Sequence, residues 1–332
     1  MVAASKTRCF SSVLTWLERH SRPQTGLLRV VTWHRIDDAD ARPEHYPGMI
    51  SASPELFREQ CLLLGSLYRV VSLADVLAAS RGEATLPERA VLLTFDDASC
   101  DFAEHAWPVL QQLGLPVTVF VPTAYPDQPQ LHFWWDRLYR ALCRSDAGVE
   151  VSLPWGATLL LEKEQRLAQF RRLKEHLKVI PHDSASELTE LICRQAAVPD
   201  PAENGVLSWN ALRRLHAEGV TLAPHTQTHP MLSQLSADEI LRELTGSRDD
   251  LAREMGTEVP PVVAYPAGGV DAQVTAAMAE AGFELGMTTR RGINRLPSSS
   301  PYLLKRINIG RRTTPGVLRA QLLSQFRFAS FS

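Results

Sequence analysis

Four residues that follow two predicted strands have side chains that could bind a metal ion and promote hydrolysis. Asp96 and Asp97 come directly after one apolar run, and His225 and His229 come soon after another. Because the two histidines are four residues apart, about one helical turn, both imidazoles can face one point. Zinc sites that hydrolyse substrates use three protein ligands and keep a position open for water. Two imidazoles and one carboxylate would meet that need, and the second carboxylate would be available as a general base.

Each pair also has a structural interpretation. Taken alone, two histidines at this spacing are more often surface or core residues, and two aspartates after a strand more often cap a turn or helix. The chemical interpretation gains weight because both pairs follow the C-terminal ends of their strands. In α/β proteins, active sites are built at that edge of the sheet.

Strand-like and helix-like segments alternate along the chain, which predicts a parallel α/β fold. The segment 90–95 is apolar on both faces, as expected for a strand buried in a parallel sheet. The predicted strands are 27–33, 68–72, 90–95, 116–121, 220–223, 262–265, 285–288 and 303–309, and the predicted helices are 54–67, 73–79, 103–113, 208–218, 237–255 and 272–281. About seven strands could close into a barrel or stay open, and their spacing alone does not distinguish these cases.

The alternation is interrupted between residues 124 and 205. Pro-rich turns and two helical stretches, at 162–179 and 184–196, predict a mostly helical insertion on one side of the main fold. We therefore predict a single domain, 1–332, with a core of residues 25–123 and 206–312 and the insertion 124–205.

Composition and charge exclude some classes of partner. The 332 residues carry a formal net charge of -2 and a pI of about 6.6, so nothing indicates a nucleic-acid partner. Four arginines near two predicted loops could form a solvated rim or contact an anionic substrate or lipid head group. They are Arg290, Arg291, Arg311 and Arg312.

Cysteine usage and the N-terminal residues bear on the compartment. The five cysteines are odd in number and show no CxxC spacing, which favours reduced thiols over a disulfide framework. The N-terminus has no apolar run long enough for a signal peptide, and no segment approaches the ~18 to 20 apolar residues that span a membrane. Residues 10–17 could form a short amphipathic helix, either packed on the body or attached to a membrane surface. These features predict a cytoplasmic protein, or one peripheral at the inner membrane surface.

Three motifs are similar to those of the polysaccharide deacetylase family, the NodB homology domain of carbohydrate esterase family 4. The family's first motif is matched by Thr94-Phe95-Asp96-Asp97, and its second by His225-Thr226-Gln227-Thr228-His229. Its third motif is similar to Tyr265-Pro266-Ala267-Gly268-Gly269. The motifs occur in the family's order, and the resemblance runs from about residue 27 to 309 apart from the insertion. It implies a distorted (β/α) barrel of about seven parallel strands.

The resemblance also implies a role for each motif residue. Asp97, His225 and His229 would bind a divalent metal, usually zinc. Asp96 would be the general base that takes a proton from the attacking water. The metal and a backbone N–H near the third motif would hold the developing oxyanion.

The chain departs from the family pattern at three positions. Ala98 stands where the family has glycine after the two aspartates. The third motif lacks the arginine that orients the base in many members, and Arg306 on the late strand is the candidate replacement. That strand also lacks the Leu-x-His histidine that protonates the leaving amine. His34 is the candidate general acid, in a stretch similar to the first-strand motif of the poly-N-acetylglucosamine deacetylase branch. Its alternative role is a bond to Asp37 or Asp38.

Aromatic residues near the motifs are candidates for substrate contacts. Tyr265 and Pro266 of the third motif are assigned to substrate binding, together with Trp135 at the start of the insertion. Aromatics beside a hydrolytic site can stack on sugar faces, but Phe133, Trp134 and Trp135 can equally anchor the insertion by packing. Because the three are adjacent in sequence, they cannot all face one groove.

The motifs imply a metal-dependent hydrolase, most simply with Zn²⁺, that deacetylates an amino sugar in a cell-surface glycan or its lipid-linked precursor. The predicted lack of a signal peptide favours a cytoplasmic or lipid-linked precursor as the substrate. The alternatives are hydrolysis of a small non-sugar amide at the same site and non-catalytic sugar binding. An open groove with exposed aromatics would favour a glycan, and a closed pocket would favour a small amide.

Overall fold

The structure, a computed structural model, describes residues 25–323 except 39, 41, 147, 148 and 161–163. The N-terminal helix predicted at 10–17 lies outside the described residues. Within the described part, parallel strands form a barrel with helices around it, and one insertion packs at its side.

The strands are short, and most of those predicted from the sequence are present within two residues of their predicted bounds. They are β1 (Leu27–Trp33), β2 (Arg35–Ile36), β3 (Ile50–Ala52), β4 (Arg69–Val70), β5 (Ala90–Phe95), β6 (Thr118–Val121), β7 (Glu150–Ser152), β8 (Thr158–Leu160), β9 (Thr221–Pro224), β10 (Val262–Ala264), β11 (Leu285–Arg291), β12 (Asn294–Arg295) and β13 (Leu304–Asn308).

Seven of these strands run parallel in the order β10, β11, β13, β1, β5, β6, β9. The first and last strands of this order, β10 and β9, lie beside each other. His225, directly after β9, donates from Nδ1 to the Ala264 carbonyl in β10 at 2.7 Å. The barrel is therefore nearly closed, and the C-terminal ends of its strands surround one opening. The predicted (β/α) barrel of about seven parallel strands is confirmed.

The helices follow the predicted apolar spacing and capping signals. Ser53 caps the first helix by accepting the N–H of Leu56, and Ser236 forms a capping box with Glu239. The α-helices of the described chain are α1 (Pro54–Leu67), α2 (Leu73–Ser80), α3 (Trp107–Leu113), α4 (Trp134–Cys143), α5 (Arg166–Leu177), α6 (His182–Ala196), α7 (Trp209–Ala217), α8 (Ala237–Met255), α9 (Ala272–Glu280) and α10 (Pro315–Leu322). None of these helices combines the length and apolar character that a membrane crossing requires.

One predicted helix, 103–113, has an irregular first half. Residues Phe102–Ala106 form a π-helical stretch, and the N–H of Trp107 bonds to the carbonyl of Phe102, five residues back. The α-helix begins only at Trp107, and the next residue, Pro108, has no N–H with which to continue the hydrogen bonds of the preceding turn.

Aromatic packing fixes the end of β5, directly before Asp96. The rings of Trp33 and Phe95, from adjacent strands, stack at 5.5 Å between centroids. Phe57 of α1 packs against both, at 5.5 and 5.7 Å. Buried aromatic contacts of this kind stabilise the strand ends on which the candidate site depends.

The insertion has a core of its own. Leu138, Phe170 and Ile192, from α4, α5 and α6, are fully buried in one cluster. The hairpin of β7 and β8 was not predicted, because each strand has only three residues and gives too short a pattern. The turn residues Pro154 and Gly156 are the signal that could have indicated it.

A buried ion pair joins the insertion to the barrel. Arg35 of β2 donates two hydrogen bonds to Asp136 of α4, at 2.7 and 3.3 Å. Asp136 also accepts the N–H of Tyr46 at 2.6 Å. Although burial opposes the charge of Arg35, Asp136 raises the pKa of that guanidinium. This two-pronged contact fixes the orientation of α4 over the strand ends.

Candidate active site

The candidate site lies where β5 and β9 end, at the opening of the barrel. The backbone there is left-handed, with φ of 71° at Asp97 and 49° at Ala98 after β5, and 65° at Thr226 and 62° at His229 after β9. This conformation costs a non-glycine residue roughly 1–2 kcal/mol. The surrounding contacts must therefore hold both loops in place.

The loop between the two histidines is held from α8. The carboxylate of Glu243 accepts the N–H groups of Gln227 and Thr228 at 2.7 and 2.9 Å, and also the Thr228 hydroxyl at 2.6 Å. The hydroxyl of Thr226 accepts the N–H of His229 at 3.1 Å. These bonds offset the strain of the loop and fix the direction of both imidazoles.

Asp97, His225 and His229 bring three possible ligand atoms to one place. The Nε2 atoms of His225 and His229 lie 3.5 and 3.2 Å from Asp97 Oδ1. The three ligand atoms all lie within 4.8 Å of one another, and all three residues are buried. Because His225 Nδ1 donates to the Ala264 carbonyl, the Nε2 of the neutral imidazole is left as a metal ligand.

The donor set fits a bound cation. Among the described residues, Asp97 Oδ1 is buried without a hydrogen-bond partner. Although burial opposes ionisation, the two imidazoles hold the pKa of Asp97 well below its usual range. Burial lowers the pKa of His229, whereas for His225 burial is outweighed by Asp97 and the pKa is raised. A charged carboxylate facing two imidazoles is a set of donors that suits Zn²⁺.

Asp96 lies beside this group but contacts other residues. Arg306 Nη1 donates to Asp96 Oδ1 at 2.8 Å, and Arg306 Nε donates to the Thr288 carbonyl at 2.9 Å. Although burial opposes ionisation, Arg306, His225 and His34 together lower the pKa of Asp96. Asp96 is therefore a carboxylate at neutral pH, as a general base must be.

His34 lies on the other side of Asp96. Its Nε2 is 3.9 Å from Asp96 Oδ2, and its backbone N–H donates to the Ser51 hydroxyl at 2.9 Å. The side chain is partly exposed and lines the pocket. The alternative partner Asp37 instead pairs with Arg42 at 3.1 Å, and Asp38 is exposed.

The third motif has buried side chains at Tyr265 and Pro266, so its possible contribution to the site is a backbone N–H group. Tyr265 is fully buried, its hydroxyl donates to the Tyr302 carbonyl at 3.0 Å, and its N–H bonds to Met287. Pro266 is also buried and has no N–H to donate. The next N–H belongs to Ala267, an exposed residue that lines the pocket with a φ of 52°. Ala267 is thus the third-motif residue whose N–H is the candidate donor to a developing oxyanion.

Trp135 packs against a metal-ligand candidate and also lines the pocket. Its indole stacks on Phe133 at 4.4 Å and contacts the ring of His229 edge-on at 5.1 Å. It is nearly buried, so its main contact is with the metal-ligand candidate. Its half-buried neighbour Trp134 is more open to the pocket.

The pocket has two sides that we name here. The floor consists of Asp96, Asp97, His225 and His229, with His34 and Arg306 beside them. The roof consists of Trp134, Trp135, Lys174 and Lys178 of the insertion, and Tyr46 lies between floor and roof. The sequence predicted neither Tyr46 nor the two lysines, because nothing in their local pattern places them near the motifs.

A protein-family comparison covers the segment that contains the site. The model of the polysaccharide deacetylase family matches residues 83–286. Among curated proteins, the poly-beta-1,6-N-acetyl-D-glucosamine N-deacetylase of Escherichia coli K12 is 33% identical over 107 residues. That match covers 32% of this chain but only 15% of the relative's length.

Solved structures share the fold at low sequence identity. The deacetylase PplD of Streptococcus pyogenes, solved with acetate, has a TM-score of 0.61 at 20% identity and covers 91% of this chain and 100% of its own. IcaB of Ammonifex degensii has a TM-score of 0.58 at 16% identity, covering 90% of this chain and 98% of its own. The family match spans well over half of the chain and includes all three motifs, so this protein belongs to the polysaccharide deacetylase family.

Proposed function

We propose that this protein is a metal-dependent deacetylase that hydrolyses the N-acetyl amide of an amino sugar in a cell-surface glycan or its lipid-linked precursor. The observation that carries the proposal is the convergence of Asp97, His225 and His229 beside an ionised Asp96. Family membership supplies the reaction class, the hydrolysis of carbon–nitrogen bonds other than peptide bonds.

The chain's own residues divide the work of hydrolysis. A divalent cation such as Zn²⁺, when bound by Asp97, His225 and His229, lowers the pKa of water and polarises a carbonyl group. Asp96, held by Arg306, removes a proton from the attacking water. The N–H of Ala267 donates to the carbonyl oxygen as negative charge develops there.

His34 completes the reaction. It borders the pocket beside Asp96 and can deliver a proton to the departing nitrogen. The carbon–nitrogen bond then breaks, the water oxygen remains on the acetyl carbon, and the products are acetate and the free amine. The need for one acid and one base matches the presence of His34 and Asp96, two titratable groups of the pocket that are not among the ligand candidates.

The decisive experiment combines metal analysis with acetate release. Purified protein should contain about one divalent ion per chain and release acetate from N-acetylglucosamine oligomers or lipid-linked amino sugars. The Asp97→Ala variant should lose the metal and at least about 10³-fold of kcat/KM, since a bound cation contributes several kcal/mol to hydrolysis. Asp38→Ala, which removes an exposed carboxylate, is the matched control and should retain both.

Two results would replace the proposal by its alternatives. Acetate or ammonia release from small amides but from no amino sugar would assign the site to a non-sugar amide. Sugar binding without metal and without acetate release would indicate a binding protein. The partly covered pocket, with its nearly buried Trp135, is neither a fully open groove nor a closed cavity.

A further inference from the structure

Two lysines in the roof have no role in the hydrolysis of a neutral amide. Lys174 of α5 and Lys178, directly after α5, both line the pocket that contains Asp97 and the two histidines. Their side chains are only 22% and 33% exposed. Lysines near a helix C-terminus can stabilise the helix dipole, but that function does not require them to face a pocket.

The charges of these lysines are poorly neutralised by the protein. Among the described residues, Glu175 is the carboxylate within 4 Å of their ammonium groups, at 3.7 Å from Lys174 and 3.2 Å from Lys178. Glu175 serves both lysines and is itself 65% exposed, so it gives each little stabilisation. The carboxylate of Asp96 is already engaged by Arg306. The roof therefore has an excess of positive charge.

Tyr46 contacts one of the two lysines. The ammonium of Lys174 is 5.3 Å from the centroid of its ring. Burial raises the pKa of Tyr46, and the positive charges of Arg171, Lys178 and Arg311 oppose that rise. Arg311 is one of the arginines for which the sequence left open either a solvated rim or contact with an anionic substrate.

We propose that the substrate is an amino sugar that carries a phosphate group, and that Lys174 and Lys178 bind this phosphate while the acetamido group lies on the floor. Ammonium groups are common phosphate ligands, and partly desolvated ones hold an anion more strongly than exposed ones. The inference rests on the proposed function and narrows its substrate class to sugar phosphates. The phosphate can come from a nucleotide sugar or from a lipid-linked sugar, and it takes no part in the bond that breaks.

Binding to a slow variant tests the phosphate contact without turnover. With Asp96→Asn protein, calorimetry should show N-acetylglucosamine 1-phosphate binding at least about 10-fold more tightly than N-acetylglucosamine. Lys174→Gln and Lys178→Gln, added to that variant, should each remove most of this difference. Arg172→Gln removes one charge from an exposed position of the same helix and should leave the difference intact. Sodium acetate, added at the same concentration as the sugar phosphate, should not abolish this difference in affinity.

Activity assays then distinguish the phosphate's source. A higher kcat/KM for a nucleotide sugar than for a short polyprenyl phosphate sugar supports a soluble precursor, and the reverse order supports a lipid-linked one. In both cases, Lys174→Gln and Lys178→Gln should lower the ratio of kcat/KM between the phosphorylated and the neutral sugar by about 10-fold.

Failure of this inference can be separated from failure of the proposed function. Equal binding of neutral and phosphorylated sugars, unchanged by either lysine variant, would overturn the phosphate site even if neutral oligomers are deacetylated. Conversely, tight and lysine-dependent binding of the sugar phosphate without acetate release from any substrate would support the phosphate site and contradict the deacetylase.

Discussion

The floor of the pocket is made of side chains on strand-end loops of the barrel, whereas the roof is made of helical side chains from an insertion with its own core. On the floor, two short motifs supply the metal-ligand candidates and the candidate base, and their loops have a left-handed backbone. In the roof, the residues that line the pocket come from two segments of the insertion and belong to none of the three motifs. On the proposed function the barrel carries the reaction, and on the further inference the insertion selects the substrate.

The largest expected effect tests the floor alone. Replacing His34 with alanine should lower turnover by roughly 10²- to 10⁴-fold, since a positioned general acid contributes that much. The metal content should not change, because His34 is not one of the three ligand candidates. Turnover and metal analysis are the measurements. His105→Ala, in the π-helical stretch Phe102–Ala106, is the control and should leave turnover unchanged. Near-normal turnover of His34→Ala would remove His34 from the mechanism.

The next effect tests the joint between floor and roof. Asp136→Ala should destabilise the protein by about 3–5 kcal/mol, because it leaves the Arg35 guanidinium buried without its partner. Urea denaturation measures this loss. Glu190→Ala removes an exposed partner of Arg137 within the insertion and should cost less than about 1 kcal/mol. Similar losses for the two variants would show that the Arg35 pair does not hold the roof in place.

The stability of the fold should depend on pH through His45, which lies near the Arg35–Asp136 ion pair. Burial and the charge of Arg35 lower the pKa of His45 to about 3. The unfolded chain, with a histidine pKa near ~6.5, therefore binds the proton first as the pH falls. This contribution to stability is intact above pH ~6.5 and is lost progressively towards pH ~3.

Urea denaturation of metal-free protein at pH 8, 7 and 5 measures that effect. Between pH 7 and 5, His45 should account for a loss of about 2 kcal/mol that the His45→Gln variant does not show. Between pH 8 and 7, His45 is neutral in both states, so the two proteins should respond alike. An equal loss in both proteins between pH 7 and 5 would contradict the low pKa of His45.

The smallest effect concerns the alanine that replaces the family's glycine. Ala98 has a left-handed φ of 49° that costs roughly 1–2 kcal/mol, while its buried methyl contributes about 0.8 kcal/mol. Ala98→Gly should therefore stabilise the protein by up to about 1 kcal/mol and leave turnover nearly unchanged. Thermal unfolding in the presence of metal is the measurement. A destabilisation above about 1 kcal/mol would mean that packing of the methyl outweighs the backbone strain.

The sequence predicted the alternating strands and helices because their signals are local, whereas closure into a barrel was implied only by the family resemblance. An apolar run that is buried on both faces and a helix with caps at both ends can be recognised within ten to twenty residues. The same holds for the motifs after β5 and β9, whose position at strand ends already predicts one common edge. The π-helical stretch and the three-residue strands of the insertion were missed because their patterns are too short or too irregular.

Contacts between distant residues were predicted only in part. Arg306 was inferred as a replacement for a missing arginine, and the structure places its guanidinium 2.8 Å from Asp96, 210 residues away in the chain. The structure places His34 beside Asp96 rather than against Asp37 or Asp38. Tyr265 and Trp135 were assigned to substrate binding; both line the pocket, and both are largely buried. These roles for the site residues and the predicted cellular location stay predictions.

By itself, the sequence determined the family, the barrel and the residue types that could bind a metal and move protons, because these depend on local patterns and motif order. Only the tertiary structure decided which side chains face one another. It placed Arg306 and His34 beside Asp96 and hydrogen-bonded His225 to β10. It also brought Tyr46, Lys174 and Lys178 into the same pocket as the floor. The physical reason is that these positions depend on which strands pair in the barrel and on how the insertion packs on it through a buried ion pair, and no local pattern encodes either.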